Sequence, residues 1–113
     1  MMRIIKVDCI KYAESYKDRL MGYMFRKKPI KREVIIFNRC NSIHTFNMRF
    51  KLDVLYLDEQ NRVVKKVLAV PIGRFLPSVK TASTVVEALE GLFSEIEVNE
   101  IVSFDAPVIL KKR

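Results

Sequence analysis

The 113-residue chain has no tryptophan, a single histidine, two cysteines and three glycines that stand apart from one another. A structural zinc site takes four Cys, His or carboxylate ligands, and the chain has neither a CxxC pair nor a second histidine. Phosphate-binding loops need several glycines within a few residues. The sequence therefore predicts no bound metal and no cofactor, and its two distant cysteines indicate reduced, structural thiols.

Long apolar runs are also missing. No segment approaches the roughly 20 apolar residues that a membrane-spanning helix needs, and charge interrupts the first residues too early for a signal peptide. Half of the residues are hydrophobic and 30% are charged, which is ordinary for a folded globular protein. We therefore expect a single cytoplasmic domain over residues 1–113, with no contact with a membrane.

Basic residues outnumber acidic ones: 21 lysines and arginines against 13 aspartates and glutamates give a net charge of +8. The densest basic run surrounds Pro29, which excludes a helix interior and predicts a loop. Its basic residues are Arg26, Lys27, Lys28, Lys31 and Arg32. They could contact phosphates and give weak, non-specific binding to nucleic acid. The interpretation that we favour is a solvated loop that aids solubility.

Apolar runs and alternations predict about six strands. They cover Arg3–Tyr12, Val34–Phe37, Leu52–Asp58, Arg62–Val70, Thr84–Leu89 and Ile101–Phe104, with Val108–Leu110 continuing the last strand after Pro107. The third strand is apolar at both alternating sets of positions, so it should lie in the interior of a sheet. It should pair antiparallel with the fourth across a turn at Asn61, because asparagine tolerates positive φ.

Two segments show helical spacing. Apolar residues recur at steps of three and four from Ala13 through Tyr16 and Leu20 to Met24. A second, shorter helical turn should start at Gly91. Together with the strands, these segments predict an α+β fold: a compact, mostly antiparallel sheet that curls toward a barrel, with one or two short helices.

Asp53 is the residue that most needs a physical explanation, because it lies inside the apolar strand Leu52–Asp58. An ionised carboxylate in such a position is costly unless donors converge on it. One interpretation is structural: it accepts backbone N–H groups from a nearby loop, or it pairs with an arginine such as Arg19 or Arg49. The functional interpretation places the carboxylate at the floor of a pocket.

Several motifs together resemble a known family of small bacterial and archaeal proteins. One is Arg19-Leu20-Met21-Gly22-Tyr23-Met24-Phe25-Arg26; another runs from Ile43 to Asp58 and contains Leu52-Asp53; Pro71 follows the hairpin, and Ala88-Leu89-Glu90-Gly91 comes later. On these residues the chain is similar to the DUF192 family, also called UPF0127, from about Ala13 to Phe104. The resemblance implies a compact α+β domain rich in antiparallel strands. It implies no particular activity.

These observations lead to a candidate pocket around the central strand. Its residues are His44, Thr45, Met48, Arg49, Asp53 and, in the long loop Ile72–Ser83, Arg74. The leading hypothesis is a non-catalytic binding or accessory domain for an unknown small molecule or protein. The alternative is an enzyme that uses His44 and Asp53 as acid and base, which requires both groups to reach one cavity. Cys40 does not join them, because four residues of extended chain span about 13 Å.

Overall fold

The computed structural model of the chain describes residues 2–13, 32–44 and 50–112. Ten β-strands occur in this part of the chain. Their bounds are β1 Met2–Lys6, β2 Cys9–Ala13, β3 Glu33–Asn38, β4 Ile43–His44, β5 Leu52–Leu57, β6 Val63–Val70, β7 Phe75–Leu76, β8 Thr84–Leu89, β9 Ile101–Asp105 and β10 Val108–Lys112.

Six of the strands form the main sheet, in the order β10-β2-β3-β8-β5-β6. The β10-β2 and β2-β3 pairs are parallel, whereas the β3-β8, β8-β5 and β5-β6 pairs are antiparallel. Two smaller sheets accompany it: β1 pairs with β9 in parallel, and β4 pairs with β7 in antiparallel. The architecture is therefore a mixed sheet with two short satellite sheets.

The α+β prediction is wrong for the described residues, which are all-β and contain no helix. The expected helical turn after Gly91 is instead a series of tight turns, in which Leu92 N–H donates to the Leu89 carbonyl and Ile96 N–H to the Phe93 carbonyl. These bonds span three residues rather than the four of an α-helix. Of the other predicted helix, Ala13 ends strand β2, and the remainder lies outside the described residues.

The predicted curl toward a barrel is also wrong. The main sheet is open, with β10 at one edge and β6 at the other, and these two strands do not pair. The predicted first strand is likewise divided between two sheets, since β1 ends at Lys6 and β2 starts at Cys9. At the other end of the chain, β10 does not continue β9 but pairs with β2 in the main sheet. Periodicity within a segment does not reveal such a change of partner.

The predicted β5–β6 hairpin is confirmed. Asn61 adopts a φ of 63° in its turn, and the Asp58 carboxylate accepts hydrogen bonds from the backbone N–H groups of Gln60 and Arg62, each at 2.9 Å. All six residues of β5 are buried, and the strand lies between β8 and β6. The continuous apolar pattern of β5 is thus explained by burial on both faces of the sheet.

Side chains alternate between two faces of the main sheet, which we call the front face and the back face. The front face presents Val34, Ile36, Leu55, Leu57, Val86 and Ala88, and Val7, Phe93, Ile96 and Val102 pack on it. The back face presents Ile35, Phe37, Leu52, Val54, Tyr56 and Val85, and Ile43, Leu76, Val79 and Ala82 pack on it. The described residues therefore form one apolar cluster on each side of the sheet.

Candidate functional site

Asp53 is only 1% exposed and is hydrogen-bonded through both carboxylate oxygens. Oδ1 accepts from the Ala69 N–H at 2.9 Å, and Oδ2 accepts from the N–H groups of Gly91 at 2.9 Å and Phe93 at 3.1 Å. Converging backbone donors of this kind stabilise a buried carboxylate. The geometry therefore matches the interpretation in which Asp53 accepts backbone N–H groups from a nearby loop. The alternative partners, Arg19 and Arg49, lie outside the described residues.

A β-bulge explains why the Ala69 donor is directed at Asp53. Leu52 pairs with Val70 and Val54 with Val67, so two residues of β6, Leu68 and Ala69, stand opposite the single residue Asp53. A bulge takes one residue out of the regular ladder, and Ala69 adopts a φ of 52° there. The carboxylate thus joins the bulge in β6 to the turns that follow β8.

Replacing Ala69 with glycine should leave stability unchanged or raise it by about 0.5–1 kcal/mol, because glycine adopts positive φ without the steric penalty of a Cβ atom. The same change at Ala88, which is buried in strand β8, should instead destabilise the protein by about 1 kcal/mol. Urea denaturation of the two variants measures the difference. Equal destabilisation by both changes would show that the bulge conformation carries no strain.

The remaining residues of the predicted pocket are only partly described. His44 lies in β4, where its backbone pairs with Phe75, and neighbouring Ile43 packs on the back face. Asp53 faces the opposite side, because its cross-strand partner Ala88 belongs to the front face. Arg74 is exposed in the turn before β7. Within the described ranges, the structure therefore brings neither Arg74 nor strand β4 to the Asp53 carboxylate.

Thr45, Met48 and Arg49, the other predicted pocket residues, lie outside the described residues. The same is true of Arg26, Lys27, Lys28 and Lys31 in the predicted basic loop. Of that loop only Arg32 is described. Its guanidinium donates a hydrogen bond to the Lys6 carbonyl, and its own carbonyl accepts from the Asp8 N–H at 2.7 Å. Arg32 thus ties the β1–β2 connection to the start of β3, and phosphate contact by the loop stays a prediction.

A cleft of about 290 Å³ opens on the front face, between the main sheet and β9. It is lined by Tyr12, Ile36, Asn38, Leu57, Asn61, Thr84, Val86, Val102, Ser103 and Phe104. These residues come from β2, β3, β5, β8, β9 and the hairpin turn. No single segment carries a motif for the cleft, so sequence reasoning missed it.

The cleft combines an apolar surface with uncharged polar groups. Ile36, Leu57, Val86 and Val102 supply buried apolar side chains. Hydroxyl and amide groups come from Tyr12, Asn38, Asn61, Thr84 and Ser103. None of the ten lining residues is an aspartate, glutamate, lysine, arginine or histidine. Such a surface can exchange hydrogen bonds with a ligand but offers it no formal charge.

Two further polar groups are buried on the back face. Tyr56 is fully buried and Glu87 is 1% exposed, and neither the Tyr56 hydroxyl nor Glu87 Oε1 has a hydrogen-bond partner in the structure as described. Burial raises the pKa of Glu87 from 4.5 to about 8. Burial, and secondly the nearby Cys40 thiol, raise the pKa of Tyr56 to about 12. Both groups are therefore neutral at pH 7. The apolar sequence pattern around them did not predict these two buried, unpaired groups.

Two other features are absent from the described ranges. Residues 2–13, 32–44 and 50–112 contain no group of three or more His, Cys, Asp or Glu side chains that could hold a metal ion. They also contain no helix that is long and apolar enough to cross a membrane.

Comparison with known proteins gives a consistent result. A UPF0127 protein of Pyrococcus furiosus is 30% identical over 95 residues, which cover 79% of this chain and 78% of that protein. A UPF0127 protein of Pyrococcus horikoshii is 35% identical over 94 residues, covering 78% of each chain. A crystal structure of a protein of unknown function from Novosphingobium aromaticivorans shares the fold, with a TM-score of 0.67 and 19% identity over 87% of this chain and 70% of that one. The DUF192 family, described as uncharacterised, matches residues 3–103, and the chain therefore belongs to it.

Proposed function

We propose that this protein is a small, non-catalytic binding domain that takes one small, uncharged polar molecule in the front-face cleft. The cleft itself is the observation that carries the proposal, because it brings ten residues from six parts of the chain around one space of about 290 Å³. This volume lies near the lower end of small-molecule pockets, which span roughly 300–1,000 Å³. The ligand is thus about the size of a single sugar or nucleoside.

The lining selects an uncharged ligand. A charged group that entered the cleft would lose hydration without meeting an opposite charge, which is unfavourable. A molecule with one apolar face and a rim of hydroxyl or amide groups fits better. Its apolar face would contact Val86 and Val102, and its polar rim would exchange hydrogen bonds with Thr84 and Ser103.

The chemistry of the lining also favours binding over catalysis. General acid–base catalysis needs a group whose pKa lies near the working pH. None of the ten residues that line the cleft is an aspartate, glutamate, histidine, lysine or cysteine, which are common general acids and bases. Asp53, one of the two acid/base groups in the alternative enzyme hypothesis, is 1% exposed and hydrogen-bonded through both oxygens.

The test is a titration of the ¹⁵N-labelled protein, followed by NMR, with D-glucose, D-ribose, uridine and adenosine, which are all uncharged. We expect at least one of them to shift the backbone amide signals of Val86, Val102 and Ser103 at millimolar concentration. A Ser103→Leu substitution, which fills the cleft, should weaken that binding at least tenfold. Ser78→Leu introduces the same side chain in an exposed loop and should not change it.

Two outcomes would contradict the proposal. The first is that none of the four compounds shifts these amide signals. The second is that a compound binds, but Ser103→Leu and Ser78→Leu bind it equally well, which would place the binding site elsewhere.

A further inference from the structure

Tyr56 and Glu87 lie next to each other on the back face, although they belong to different strands. Glu87 pairs with Val54, and Tyr56 pairs with Val85, across the β5–β8 ladder. The two residues are therefore diagonal neighbours on the same face of an antiparallel pair, a relation that brings long side chains within reach of each other. Ile35, the β3 partner of Glu87, packs in the same back-face cluster as Tyr56.

Each of these residues holds a buried oxygen without a partner in the described part of the protein, namely Tyr56 Oη and Glu87 Oε1. Buried polar groups are nearly always hydrogen-bonded, because an unpaired one loses its interactions with water. One such group is an isolated exception, but two neighbouring ones on the same face call for a shared explanation. A single guest atom between them would satisfy both.

We propose that Tyr56 and Glu87 form a two-donor site for one acceptor oxygen of a small molecule, such as the carbonyl oxygen of a ketone. The site is separate from the front-face cleft and does not depend on its function. In it, the Tyr56 hydroxyl and the protonated Glu87 carboxyl would both donate to the same oxygen. Two donors that are directed at one oxygen and buried away from water stabilise partial negative charge on that oxygen.

The protonation states of the two groups support this arrangement. Burial holds the pKa of Glu87 at about 8 and that of Tyr56 at about 12, so both O–H groups are present at pH 7. Other titratable residues belong to this side of the sheet. Lys65 pairs with Tyr56, with its Nζ 5.9 Å from the centre of the Tyr56 ring, and Cys9 and Lys11 of β2 pair with Glu33 and Ile35 of β3. Glu33 lies on the same face of β3 and is buried, but it is engaged by another residue, and the Cys40 thiol donates to the Ser42 carbonyl.

The segment that follows β6 packs on this side of the sheet. Residues 71–81 form an exposed segment in which Leu76 and Val79 alone are partly buried, and both pack on the back-face cluster. The Val79 N–H donates to the Asn41 carbonyl at 2.9 Å in the β3–β4 connection, and β7 within the segment pairs with β4. Lifting this segment is the route by which a small molecule would reach the two donors.

The probe for this site is acetophenone labelled with ¹³C at its carbonyl carbon. When two donors bind the carbonyl oxygen, the ¹³C signal moves downfield, which a merely apolar contact does not cause. We expect the wild-type protein to produce this shift at pH 6. Tyr56→Phe and Glu87→Met each remove one donor, so each should reduce the shift by about half and weaken binding at least tenfold.

Control variants test whether the ¹³C shift arises in the front-face cleft and whether the substituted proteins remain folded. Tyr12→Phe removes a hydroxyl in the front-face cleft and should leave the ¹³C shift unchanged. Tyr56→Phe removes a buried, unpaired hydroxyl, so the melting temperature of this variant should equal or exceed that of the wild type. Glu87→Gln keeps a donor and should therefore retain part of the ¹³C shift. Absence of a downfield shift with the wild type, or a shift that survives both donor-removing changes, would overturn the proposal.

Discussion

Replacing Asp53 with alanine should lower the free energy of unfolding by about 3–5 kcal/mol, because three backbone N–H groups lose the buried carboxylate that accepts their hydrogen bonds. The N–H groups belong to Ala69, Gly91 and Phe93, and they lie 2.9–3.1 Å from the carboxylate oxygens. Water cannot easily replace the carboxylate, since the residue is 1% exposed. Urea denaturation followed by circular dichroism measures the loss.

Asp53→Asn is the informative companion to this change. The amide retains one acceptor oxygen but presents an NH₂ group to N–H donors on its other side, so it should cost about 2 kcal/mol. A matched control is Asp58→Ala. Asp58 also accepts two backbone N–H groups at 2.9 Å, but in an exposed turn where water can replace it, so the cost should stay near 1 kcal/mol. Similar losses at positions 53 and 58 would show that burial does not set the effect.

Replacing Glu87 with glutamine should change how stability depends on pH. The pKa of this carboxyl is 4.5 in the reference state and about 8 in the folded protein, because burial penalises its charged form. Below pH 4.5 both states are protonated and the group has no effect. Between pH 4.5 and about 8, the unfolded chain is ionised while the folded protein keeps its proton. Stability from this residue is therefore lost as the pH rises through that range.

In the wild type, Glu87 should lower the free energy of unfolding by about 1.4 kcal/mol for each pH unit in this range. The pKa shift from 4.5 to about 8 limits the total loss to about 5 kcal/mol. Glutamine does not titrate. Between pH 5 and pH 8, the free energy of unfolding of Glu87→Gln should therefore rise relative to that of the wild type by several kcal/mol. Denaturation curves at four pH values measure the gain. Glu59→Gln, an exposed position, controls for the change in net charge. Parallel curves for wild type and Glu87→Gln would show that the folded carboxyl is ionised.

Only part of the arrangement around Asp53 could be predicted from the sequence. The position of Asp53 within an apolar strand is readable from the sequence, and so is the need for converging donors. The identity of the donors is not readable, because it depends on a bulge at Ala69 and on turns that follow β8, some 16 to 40 residues away. Propensity describes a residue in its own segment, whereas the partners of a buried carboxylate are set by tertiary structure.

The α+β prediction was wrong for a similar reason. The spacing of Leu92, Phe93 and Ile96 satisfies a helix, but three-residue turns bury Phe93 and Ile96 equally well. The strands themselves were largely predictable, since each reflects a local apolar pattern. Apart from the β5–β6 hairpin, the pairing of the strands was not predictable. The cleft depends on that pairing, because Thr84 belongs to the main sheet whereas Ser103 belongs to β9, which pairs with β1 in a separate sheet.

The parallel pairing of β1 with β9 and of β2 with β10 has a consequence for how the protein acquires its structure. Met2 pairs with Ile101 and Cys9 with Val108, so in both pairs the partners are 99 residues apart. Contacts of such sequence separation close the largest loops and slow folding, commonly to milliseconds or longer. On the ribosome, β1 must wait for β9 and the outer edge of β2 must wait for β10, although β2 can pair with β3 as soon as β3 has been made. Until β10 has been synthesised, the edge of β2 that it will occupy is exposed, which makes a newly made chain dependent on rapid completion or on chaperones.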